Sequence, residues 1–143
     1  MTKQKPAMLK SYLIHIALAL ALATPLAAQS YRAENRVTVN PLPGGSFEVI
    51  EGGGFGARGM WCAAADYARD VLRARGTTRI YILGPRGNSL TVPGRKGVIF
   101  TLDPKGLTPE PVFIVGASLR RPGANLSVDH AYTFCADYKL RNR

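Results

Sequence analysis

The chain has 143 residues, 46% of them hydrophobic, and carries nineteen Lys and Arg against nine Asp and Glu, for a formal net charge of +10. That apolar content excludes a disordered polyelectrolyte, and the length accommodates about one domain. Two histidines and two cysteines are too few donors for a typical structural zinc module.

The first predicted element is a secretory signal. Lys3, Lys5 and Lys10 lead into an apolar run, positions 12–23, broken by His15 and closed by Thr24-Pro25-Leu26-Ala27-Ala28. A basic start, an apolar stretch and small residues at the cut define such a segment. Cleavage is expected after Ala28, with cuts after Ala23 or Gln29 as alternatives because Leu26 fits poorly ahead of the site. Met8 is an alternative start. The competing reading is an uncleaved anchor over 13–28, which is short for a spanning helix and interrupted by Pro25. The expected organisation is a removable signal over 1–28 and a single periplasmic or secreted domain over 29–143, with no membrane-spanning segment after processing.

That domain keeps all nine acidic residues and sixteen cations, a net of +7, and thirteen of the cations are arginine. Guanidinium groups present paired donors to the paired oxygens of phosphate or carboxylate. Outside the cytoplasm this composition points to anionic lipid, anionic glycan or an acidic protein as partner, whereas nucleic acid would demand an unusual secreted role. Cys62 and Cys135 both fall in this domain, and two thiols in an oxidising compartment are expected to be joined. Closing a loop of roughly 74 residues contributes about 4 kcal/mol at most.

Residues 29–34 read as an unanchored lead. Val37 and Val39 alternate with polar neighbours, Pro43-Gly44-Gly45 supplies turn chemistry, and Phe47 and Val49 alternate again, which predicts a hairpin. Met60, Ala64, Tyr67, Ala68, Val71 and Leu72 recur at three- and four-residue spacing and predict an amphipathic helix over 58–75. Asp66 with Arg69 and Asp70 with Arg73 have the spacing of weak surface pairs, and Gly76 stands where a left-handed cap is expected. Runs at 79–83, 98–102 and 112–116 are rich in β-branched and aromatic residues and read as strands. Pro85, Gly87, Pro93 and Gly94 mark a long loop between the first two. The segment 128–135 fits both a strand face and a helical stripe, and its Tyr, Thr, Phe and Cys favour strand. The expected fold class is therefore α+β: a small, mainly antiparallel sheet packed on one amphipathic helix. Its order is β-β-α-β-β-β-β, and one disulfide ties the helix start to the last strand.

Gly54-Phe55-Gly56-Ala57-Arg58-Gly59 matches the glycine spacing of a dinucleotide loop. The upstream hairpin, the absence of a ribose-binding acid on the next strand and the export signal argue for a glycine turn instead. Trp61, beside Cys62, is expected to pack on the disulfide. Asn125-Leu126-Ser127 is a formal glycosylation sequon. Ser127, Asp129 and His130 hold a nucleophile, an acid and a base, but on a strand Asp129 and His130 would point to opposite faces. Glu48, Glu51, Asp103, Glu110 and Asp137 are scattered and read as solvated charge. No catalytic set, metal site or cofactor is expected. The candidate anion contacts are Arg86, Arg95 and Lys96 on the long loop, with Arg58 at the helix start. The resulting expectation is a small exported non-enzymatic protein that binds an anionic envelope component or acidic protein. A small secreted hydrolase using His130 and a structural accessory subunit of an envelope complex are the alternatives.

Overall fold

A computed structural model describes residues 29–112 and 118–142. The proposed signal and most of the strand expected at 112–116 lie outside those residues. The elements are β1 (Tyr31–Arg32), β2 (Thr38–Pro41), β3 (Phe47–Ile50), α1 (Gly56–Asp70), β4 (Arg79–Asn88), β5 (Lys96–Thr101), β6 (Glu110–Pro111), β7 (Ala124–Ser127), α2 (Val128–Thr133) and α3 (Cys135–Arg141). The fold is α+β. Its seven strands form one sheet in the order β1-β2-β3-β5-β4-β7-β6, antiparallel except for the β6–β7 pair.

Register separates the two faces. Val39 is opposite Val49, and Phe47 is opposite Phe100. These residues point inward, where Phe47 meets Tyr67 of α1 at 4.7 Å between ring centroids and Trp61 meets Phe100 edge-on at 5.0 Å. The alternating residues, including Asn40 and Glu48 in register with each other, turn to the outer face. Helix α1 lies between the sheet and the C-terminal helices, so residues 59–68 are all buried. Ala63, Ala64, Ala65 and Ala68 let it approach closely on both sides. Cys62 and Cys135 are joined, both buried, with Cα atoms 5.0 Å apart.

Several expectations change. The segment 128–135 is helical: the Ser127 hydroxyl accepts the His130 amide at 3.2 Å as an N-cap, and Asp129 sits in the first turn, where the helix dipole favours a negative charge. That cap, together with burial of Val128, Ala131 and Cys135 in the core, outweighs the strand preference of the side chains. The disulfide therefore ties α1 to α3 rather than to a strand. The cap after α1 also differs, because Arg73 takes the left-handed conformation at φ 57°. Gly76 instead lies close to α2, where a methyl group would displace the Asp129 carboxylate. Finally, residues 29–34 are anchored, since β1 pairs with β2, and β4 runs on to Asn88 through bulges at Gly84 and Gly87. The long loop shrinks accordingly to 89–95.

Candidate anion-binding site

The β1–β2 turn is the first element of the site. Asn35 is buried, donates to the Gly59 carbonyl at 2.7 Å and accepts the Val37 amide at 3.3 Å. With Ala33 and Val37 bonded across the turn, this anchoring holds Arg36 in the left-handed region at φ 64°, a conformation costly for a residue with a Cβ. Arg32 pairs in register with Thr38, which places both on the outer face, while Tyr31 turns inward and stacks edge-on with Tyr67 at 5.5 Å.

The β4–β5 loop is the second element, and a carboxylate organises it. Glu48, only 1% exposed, accepts the Thr91 hydroxyl at 2.6 Å, the Leu90 amide at 2.8 Å, and the Ser89 hydroxyl and Thr91 amide at 3.0 Å each. Burial pushes its carboxyl up, but the donors from Thr91, Leu90 and Ser89 together hold it below the usual carboxylate range. The expectation of a solvated surface charge is thus corrected for Glu48. Gly97 is the adjoining residue of β5, and a side chain there would run into the Glu48 carboxylate. Asn40 donates to Thr91 at 2.7 Å and completes the lock.

Where these two elements meet the end of β3, a recess of about 260 Å³ opens. Arg32, Arg36 and Arg95 line it together with Thr38, Gly52 and Val92. The strand order explains the meeting, since β1, β2, β3 and β5 are successive neighbours. Arg95 donates to the Glu51 carbonyl at 2.6 Å, and its guanidinium lies 3.3 Å from where a Cβ on Gly52 would stand. The nearby Glu51 carboxylate is already engaged by Arg86 in two contacts of 2.6 and 3.0 Å. Three arginines therefore converge without a carboxylate among the side chains lining the recess.

The four cations singled out from sequence have different surroundings. Arg95 is in the recess, Arg86 is beside it on Glu51, and Lys96 donates to Asn88 at 2.7 Å across the β4–β5 hairpin. Arg58 is elsewhere, held by Asp137 of α3 at 2.6 and 3.0 Å and stacked 4.7 Å over Phe134. The glycine run serves that corner. Gly53, Gly54 and Gly56 all have positive φ, and a side chain on Gly59 would strike Phe55. Asp137 lines the cavity near this helix start, beside Phe55 and Arg141, so the corner presents a carboxylate to any incoming anion.

Arg32 escaped the reading of the sequence because it belongs to the stretch taken as an unanchored lead, and Arg36 because it falls between that lead and the first predicted strand. Asn35, a turn residue just before the alternating Val37 and Val39, was the available signal for an earlier hairpin. His130 is exposed and meets the Phe134 ring edge-on at 5.6 Å. Among the described residues no carboxylate or hydroxyl group hydrogen-bonds its ring, and no cluster of three His, Cys, Asp or Glu is placed to hold a metal. No helix of the described residues is long and apolar enough to cross a membrane. No family model, curated protein or solved structure matches the chain.

Proposed function

We propose that this is an exported, non-enzymatic module that binds an anionic component of the cell envelope through the Arg32–Arg36–Arg95 recess. The meeting of three arginines from two separate segments, the β1–β2 hairpin and the β4–β5 loop, carries the reading. Each residue is exposed, and they share a concavity whose lining includes no carboxylate. Like charges repel when gathered this way, and an arriving phosphate or carboxylate relieves that repulsion while accepting paired donors. The Arg86–Glu51 pair supports the site by neutralising the acid next to Gly52, and Thr38 adds a hydroxyl to the lining. Arg58 acts in the fold, bridging α1 to α3. Export follows from the predicted signal and suits a chain whose two cysteines are bridged.

The test is binding of the protein, isolated as cells process it, to soluble polyphosphate and to polygalacturonate at low and high salt. The parent is expected to bind at low salt and to weaken as ionic strength rises. Replacement of Arg32, Arg36 and Arg95 together by Gln is expected to abolish the difference. Equal binding by parent and triple variant would refute the recess as the site.

A further inference from the structure

From the outer face of the sheet we infer that the anion this site takes is the headgroup layer of an anionic bilayer, with Leu90 inserted beside the arginines. This inference rests on the recess being an anion site and adds the physical state of the ligand.

Leu90 is 71% exposed, the highest value among the exposed large apolar residues described. An exposed leucine on a mobile loop means little, but this one is on a loop held rigidly from below. Its own backbone amide is bonded to Glu48, as are both neighbours, Ser89 and Thr91. Ser89 also accepts the amides of Thr91 and Val92 at 3.2 and 2.9 Å, and the Ser89 amide closes the loop on the Arg95 carbonyl at 2.8 Å. The loop thus expends a buried carboxylate to hold an apolar side chain in water. Two residues on, Val92 lines the recess with Arg95, Arg32 and Arg36. A projecting apolar residue on the same loop as Arg95, two positions from the lining of an arginine recess, matches the boundary between headgroups and acyl chains, where cations meet phosphate and the apolar group enters the chains. A soluble polyanion would use the arginines and leave Leu90 wet.

The experiment compares phosphatidylglycerol-containing vesicles with purely zwitterionic vesicles, again using protein as cells process it, with parent and variants side by side. The parent is expected to bind the anionic vesicles selectively. Leu90→Gln is expected to weaken that binding about tenfold, the scale of losing one buried leucine, with polyphosphate binding unchanged because no charge is added, and Leu90→Asp is expected to weaken vesicle binding further. The triple Arg→Gln variant is expected to lose on the order of 100-fold for vesicles and to lose polyphosphate as well. A Leu90→Trp variant is expected to shift its emission to the blue on anionic vesicles, and it reports insertion independently of Leu90→Asp. If polyphosphate binds through the arginines but vesicles do not, the bilayer inference fails and the anion site stands. If neither binds, both fail. Unshifted Leu90→Trp emission on bound vesicles overturns the inference, as does a parent dimer that Leu90→Asp converts to monomer without any vesicle binding.

Discussion

The Tyr31 hydroxyl donates to the Asp66 carboxylate at 2.9 Å and to Asp70 at 3.2 Å, fastening the edge strand β1 to the flank of α1. Asp66 also accepts the Glu34 amide at 2.8 Å, so one helical acid secures both ends of the segment that carries Arg32. Asp66 and Asp70 are spent on this contact rather than on the arginines three positions along, and Arg69 instead stacks 3.9 Å over Tyr132.

Tyr31→Phe is therefore expected to cost about 1 to 3 kcal/mol, the scale of a hydrogen bond to a charged group, and to weaken polyanion binding by loosening Arg32. Burial first, and then the Asp66 and Asp70 carboxylates, raise the Tyr31 hydroxyl above its ordinary value. A raised folded value means stability that is full below the unfolded tyrosine value near 10 and is lost as pH rises towards the folded one. Thermal unfolding between about pH 9 and 11 is expected to show the parent losing stability more steeply than Tyr31→Phe.

Glu48 has the opposite sign. Its folded value is depressed, so its contribution is present above the ordinary glutamate value near 4.3 and disappears as pH falls through the folded one. Acid titration of melting temperature is expected to show this loss in the parent and a flatter response in Glu48→Gln. That variant sets an amide donor against Ser89 and Thr91, and a reduction of about 1 to 3 kcal/mol at pH 7 is expected. Faster amide exchange at Leu90 and Thr91 would report release of the loop.

Gly76→Ala is expected to destabilise by up to about 1 kcal/mol, because the added methyl overlaps the Asp129 carboxylate and that exposed side chain must rotate away from its present position. Removing the obstacle in Gly76→Ala with Asp129→Ala is expected to recover part of that loss. Chemical denaturation of both single variants and the double variant measures the coupling.

Arg36→Gly separates stability from binding. Glycine relieves the left-handed backbone, worth about 1 kcal/mol, but gains freedom in the unfolded chain. Stability is expected to stay within about 1 kcal/mol of the parent while polyphosphate affinity falls severalfold. Denaturation and binding isotherms on the same preparation check both halves.

The β2–β3 hairpin, α1, β4, β5 and the disulfide were legible because each rests on local periodicity or on a forced pairing of the two cysteines. The last helices were not, since their decision falls to a single cap at Ser127 and to contacts with α1, which is distant in the chain. The recess was half legible for a related reason. Arg95 announced itself on a long Gly- and Pro-marked loop, but positions 32, 36 and 95 become neighbours only through strand order. Glu48 looked like ordinary surface charge because its four donors come from residues more than forty positions downstream.

The Cys62–Cys135 bridge sets a timetable for assembly. Its second sulfur lies 73 positions after the first, so in a chain made from its N-terminus Cys62 appears well before its partner. With two thiols in the whole chain, no scrambled isomer can form internally. The hazard in that interval is capture of Cys62 by a foreign thiol, and α1 receives its covalent fastening only once Cys135 is in reach.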